Sequence, residues 1–122
     1  MKFLLLFVAP FLITSCERQE CNCSYFKTGT FTFEHKINGE KQITRFVRTP
    51  NLEIETYQGK TDTSGIKWVS DCEYILRKRN PKNNNEKKAV GVKIIRTKGK
   101  SYTFEFGLVG SEEKQTGTAI KL

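Results

Sequence analysis

The chain has 122 residues, and its 21 Lys and Arg outnumber 13 Asp and Glu to give a formal net charge of +8. That length holds one small domain and excludes a multidomain machine. Only 37% of the residues are hydrophobic and there is a single histidine, so the core is modest and a histidine-based catalytic apparatus has one candidate.

The first element is a leader. Lys2 precedes a near-continuous apolar run from Phe3 to Ile13, then two small polar residues and Cys16. A charged start, a short apolar middle and a small-residue end make a secretory signal peptide. The run is shorter than the ~20 apolar residues a spanning helix needs. Ile13-Thr14-Ser15-Cys16 resembles a bacterial lipobox, which implies cleavage before Cys16 and acylation of that cysteine. The expected organisation is a lipoprotein signal peptide over 1–15, a lipidated tether over 16–24 and a single β-domain over 25–122. Cutting Met1 to Ser15 from 122 residues leaves 107, and losing Lys2 takes the charge from +8 to +7. Export sets aside the nucleic-acid partner that a basic chain otherwise suggests. The expected location is the cell envelope, at the outer membrane, held by the lipid on Cys16.

With Cys16 lipidated, Cys21, Cys23 and Cys72 remain for an oxidising compartment, where two should pair and one be left over. Cys21 and Cys23 are too close together to pair with each other, so Cys72 takes one of them. Cys23 is the expected partner because it directly precedes the first apolar strand; Cys21 is the alternative. The loop of about fifty residues would contribute roughly 3–4 kcal/mol through chain entropy. Glu17 to Ser24 forms a tether spanning ~15 Å.

From Tyr25 onward the pattern is strand after strand. Phe31 and Phe33 alternate with Thr30, Thr32 and Glu34, the period of a half-buried strand. Asn38-Gly39 is a two-residue hairpin signal, since both tolerate positive φ. Gln42 to Arg48 carries Ile43, Phe46 and Val47, a broken alternation that predicts a bulge or an edge. After Thr49-Pro50-Asn51, Leu52 and Ile54 alternate with Glu53 and Glu55, ending at Gln58-Gly59. Lys60 to Gly65 reads as a polar loop without the glycine-rich form of a phosphate cradle. Ile66, Trp68, Cys72, Tyr74 and Leu76 share one parity and predict one long strand. Asn80-Pro81 opens an exposed loop through Lys88. Val90, Val92 and Ile94 make the next strand, Tyr102, Phe104, Phe106 and Leu108 another, and Gly117 to Leu122 the last. The expected fold is all-β, an antiparallel meander of about seven strands closing as a small barrel, with a two-layer β-sandwich as the alternative.

Few side chains suggest chemistry. His35 lies by a hairpin turn among charges, as a solvated histidine would. Cys21, Cys23, Cys72 and His35 lack usual zinc-site spacing, so no metal or cofactor is expected. Glu53 and Glu55 share a strand face like a glycosidase pair, but are expected on the wet side of the sheet. Arg77, Lys78, Arg79, Lys82, Lys87 and Lys88 surround one loop, a candidate for weak contact with anionic lipid. The inward aromatics Phe31, Phe33, Trp68, Tyr74, Phe104 and Phe106 either fill the core or line a ligand cavity.

Lys27-Thr28-Gly29-Thr30-Phe31, Lys67-Trp68-Val69-Ser70-Asp71-Cys72-Glu73-Tyr74 and Tyr102-Thr103-Phe104-Glu105 together resemble a family of small uncharacterised bacterial lipoproteins. Some members carry a DNA topoisomerase IV label. A short exported chain with no nucleotide-binding signature does not match a strand-passage enzyme. The resemblance implies envelope anchoring, supplies no catalytic residue, and implies that the cysteine before Tyr25 pairs with Cys72. The functional expectation is a non-enzymatic envelope lipoprotein, a structural or protein-interaction module with an envelope protein as partner. A small hydrophobic-ligand-binding barrel is the first alternative, and a hydrolase using His35 or a carboxylate pair the second.

Overall fold

The structure, a computed structural model, describes residues 21–122. The leader 1–15, Cys16 and most of the tether lie outside the described residues. A short 3₁₀ turn, Cys23–Phe26, leads into eight strands: β1 (Gly29–Ile37), β2 (Glu40–Arg48), β3 (Leu52–Tyr57), β4 (Lys60–Ser70), β5 (Glu73–Lys78), β6 (Val90–Lys98), β7 (Ser101–Leu108) and β8 (Gln115–Lys121). Each strand pairs antiparallel with the next. Pairing of β1 with β8, at Phe31 with Lys121 and Phe33 with Ala119, closes the barrel. The fold is therefore the small up-and-down barrel, with eight strands where about seven were expected.

The additional strand comes from two corrections in one region. Lys60 to Gly65 is strand and not loop, because Gln58 and Gly59 take φ of 49° and 75° and reverse the chain in two residues. Asn38 and Gly39 do the same between β1 and β2, with φ of 51° and 80°. The expected long strand through Leu76 is instead a hairpin, turning at Asp71-Cys72. Trp68 pairs with Tyr74 across it. The turn preserves the parity of the inward residues, which hides the reversal in the one-dimensional pattern.

β2 also differs from expectation. Its pairing with β1 runs without a break from Gly29–Arg48 to Ile37–Glu40, so it carries no bulge. Alternation is regular, but the inward set is Thr44, Phe46 and Arg48, all buried, while Ile43 and Val47 are exposed on the outer wall. The register shifts that do occur, Trp68/Ser70 and Ile94/Arg96, lie toward the end where the chain enters. Bulges sharpen local twist and bend strands.

The two ends of the barrel are built differently. Residues 21–28, the turn after β2, the β4–β5 turn and the β6–β7 turn share one end. The Cys23–Cys72 disulfide, with Cα atoms 5.3 Å apart, ties the entering segment to that end, and Cys21 stays an exposed thiol. Cys23 and Phe26 are buried at 3% and 0% exposure, so the folded body begins inside the stretch expected to be tether. At the other end, the β1–β2 and β3–β4 hairpins and the loops 79–89 and 109–114 surround a mouth.

Candidate functional site

The closed end is a packed polar knot. Arg48 is 2% exposed and sits directly across from Glu53, because the turn at 49–51 puts these two residues in register. Its Nε and Nη2 donate to Glu53 Oε1 at 3.2 and 2.8 Å, and Nη1 donates to the Phe26 carbonyl at 2.7 Å. Nη2 also donates to the Tyr74 and Tyr102 hydroxyls at 2.7 and 3.0 Å. The guanidinium carbon lies 4.6 Å from the Tyr74 ring centre and 4.9 Å from that of Phe31. Burial acts to lower the Arg48 pKa, but Tyr74, Tyr102 and Glu53 outweigh it and hold the group charged, above its ordinary range. Burial pushes both tyrosine hydroxyls up as well, so they remain phenols. Phe26 closes over this layer, its ring 5.0 Å from Tyr102, and Phe31 stacks on Phe46 at 5.0 Å. Among the described residues, no buried side-chain nitrogen or oxygen lacks a partner.

Above the knot the barrel is open. A cavity of about 180 Å³ occupies the lumen. Phe33, Phe46, Phe104 and Phe106 form its aromatic wall, Leu76, Val90 and Val92 its aliphatic wall, and Tyr74 and Tyr102 reach it from the knot. Thr44, Glu53 and Glu55 supply polar groups. The cavity continues into a mouth of about 350 Å³ that shares Glu53, Glu55, Leu76, Val90 and Phe106 and adds Asp62, Ser64, Lys78, Glu86 and Lys88. A close approach shapes one wall. A Cβ at Gly117 would lie 2.5 Å from Phe33 and 2.9 Å from Phe104, so a bare backbone there lets the tips of those rings approach β8 closely.

The carboxylates divide by partner. Glu53 is taken by Arg48. Lys78 bridges Asp62 at 3.6 Å and Glu86 at 2.9 Å, tying the loop 79–89 to the rim. Its pKa is raised, first by the Glu86 hydrogen bond. Among the described residues, the Glu55 carboxylate takes part in no hydrogen bond or ion pair. Burial of its inner side, then the nearby Glu53 and Asp62 charges, hold its carboxyl above the usual range, with Lys78 offsetting part of the effect.

Of the six aromatics expected to line a cavity, Phe33, Tyr74, Phe104 and Phe106 face the lumen. Phe31 is fully buried beneath it, and Trp68 packs on Tyr74 at 4.6 Å between ring centres. Glu53 is not on the wet face but buried inside the barrel, whereas Glu55, on the same strand face, is exposed where it reaches the mouth. His35 is not a solvated end residue either. It is part-buried, stacks on Phe33 at 5.3 Å and meets the Thr44 hydroxyl at 3.1 Å. The basic loop residues sit at the mouth, at the opposite end of the barrel from Cys21, with Lys78 turned to its acidic partners. Among the described residues no cluster of His, Cys, Asp and Glu is set to hold a metal ion. Arg48 carried a signal that alternation alone does not read: an Arg and a Glu flanking a short turn at paired positions.

No family model, no curated protein and no solved structure matches this chain.

Proposed function

We propose that the chain is a lipid-anchored envelope protein whose barrel binds one small, largely apolar molecule. The lumen cavity carries this proposal: about 180 Å³ of aromatic-lined space open at one end. An eight-stranded barrel is at the size where side chains either fill the interior or leave room for one ligand, and barrel mouths are a recurrent location for such sites. An anchor at Cys16 would draw the closed end toward the membrane, since the chain enters the fold there. The mouth then faces the surrounding compartment. The resemblance to uncharacterised lipoproteins and the lipobox support the anchor, and metabolic labelling with palmitate, abolished by Cys16→Ser, tests it.

Ligand binding is tested by thermal unfolding of the full chain with neutral aromatic alcohols such as phenethyl alcohol. A ligand at a hundredfold excess over its Kd stabilises the fold by about 2.7 kcal/mol, readable as a rise in Tm. Val92→Phe, which fills the lumen, should fold and lose the rise. Equal shifts in both proteins would place binding elsewhere. A protein-contact role has one observation in its favour: Ile43, Val47 and Ile120 are exposed on the outer wall.

A further inference from the structure

Where the lumen meets its mouth stands a carboxylate that no protein group among the described residues pairs with. The neighbouring charges have partners in the fold: Arg48 pairs with Glu53, and at the rim Lys78 serves both Asp62 and Glu86. Glu55 stands between these pairs, lining both the cavity and the mouth. Lys88 lines the mouth but not the lumen. A chain with a net charge of +8 thus presents an excess negative charge at the head of an aromatic-walled space. Glu55 is exposed to solvent on its outer side, yet it lines the same cavity as Phe106, Leu76 and Val90, so its carboxylate stands at the head of an apolar space. Burial and the neighbouring Glu53 and Asp62 disfavour its ionised form, and a cation bound beside it removes that penalty. Perturbed groups of this kind, in a cleft, mark functional positions.

We propose that the lumen takes a small organic cation, its aromatic or aliphatic body among Phe33, Val92 and Phe104 and its protonated amine against Glu55. The assignment rests on the lumen being the ligand site and adds the ligand's chemical class. The volume suits it: an apolar cavity of about 150 Å³ accepts benzene, so a ring fits below and a short amine-bearing arm reaches the rim. The amine would donate a charge-assisted hydrogen bond to Glu55, and the faces of the lumen phenylalanines attract positive charge. An anion would meet Glu53 and Glu55 with no free cation in the lumen, and a neutral body would leave Glu55 uncompensated.

The experiment is calorimetric titration of the full chain, in nanodiscs of zwitterionic lipid, with three probes sharing one ring: phenethylamine, phenethyl alcohol and phenylacetate. At neutral pH the amine should bind at least about tenfold more tightly than the alcohol, the size of one charge-assisted hydrogen bond, and phenylacetate weakest. Glu55→Gln should erase the amine's advantage and leave the alcohol within about twofold, whereas Glu34→Gln, a carboxylate outside the lumen that pairs with Lys41, should change neither. Equal affinity for amine and alcohol, or an advantage that survives Glu55→Gln, overturns the cation assignment and leaves the lumen site standing. Absence of binding by all three probes overturns both.

Discussion

The two ends of this barrel use the same kinds of side chain to opposite effect. At the closed end a buried arginine, a glutamate, two tyrosines and a disulfide complete one another, and rings interdigitate above and below them. At the open end similar phenylalanines and another glutamate line empty space, and the glutamate has no partner. Burial of charge is costly unless hydrogen bonds and an opposite charge compensate it, so the closed end reads as a scaffold resolved for stability. The open end keeps its compensation in reserve. Departures from local consistency of this kind concentrate at functional positions.

Breaking the closed end should have the largest effect. Arg48→Ala leaves Glu53 buried without its cation and three oxygens without their donor. A loss of about 3–5 kcal/mol is expected in denaturant unfolding, and adding Glu53→Gln should return part of it. If Arg48→Ala unfolds like wild type, the knot contributes little to the fold. Cys72→Ala removes the crosslink to Cys23 and should cost roughly 3–4 kcal/mol by chain entropy, with non-reducing peptide mapping of the parent protein recovering the Cys23–Cys72 peptide. Both variants probe the scaffold.

At the junction of the two regions, Gly117→Ala would drive a methyl group into Phe33 and Phe104. Overpacking of this kind costs about 1–3 kcal/mol, and a tilt of either ring would also narrow the lumen. An unchanged Tm would mean that the rings yield freely, weakening the picture of a rigid wall. The smallest effect should come from the open end and have the opposite sign. Glu55 has a folded pKa raised above the ordinary 4.5, so the folded chain holds its proton more tightly than the unfolded chain does. Its favourable contribution is present below the unfolded value and is lost as pH rises through the folded one. Glu55→Gln should therefore raise Tm slightly at neutral pH, with the gain vanishing at acidic pH. A drop in Tm at neutral pH would show that Glu55 has a structural partner.

Much of the scaffold was legible in the residues. The alternation of Phe31 and Phe33, and of Tyr102, Phe104 and Phe106, reports strands with one apolar face, and Asn38-Gly39 reports a hairpin through its need for positive φ. Cys23 lies next to the first strand and pairs with Cys72 as that position suggests. The site was harder to see because β2 and β3 invert the usual code. Their inner face carries Thr44, Arg48, Glu53 and Glu55, and their outer face carries Ile43, Val47 and Ile54. A rule that sends apolar residues inward therefore puts the buried Glu53 in water and invents an irregularity in β2. The cross-strand match of Arg48 with Glu53 resolves the inversion, but it needs the register that only the closed barrel supplies. Polar Lys60 to Gly65 was likewise hidden, because as rim strand it faces the mouth with Asp62 and Ser64.

Isotope-labelled full chain titrated with phenethyl alcohol and followed by NMR tests the division between a packed end and a receptive one most directly. Saturable shifts should gather at Phe33, Leu76, Val90, Val92, Phe104 and Phe106 and leave Cys23, Phe26 and Cys72 unmoved. Shifts that fail to saturate, or that gather on Ile43, Val47 and Ile120 of the outer wall, would contradict it.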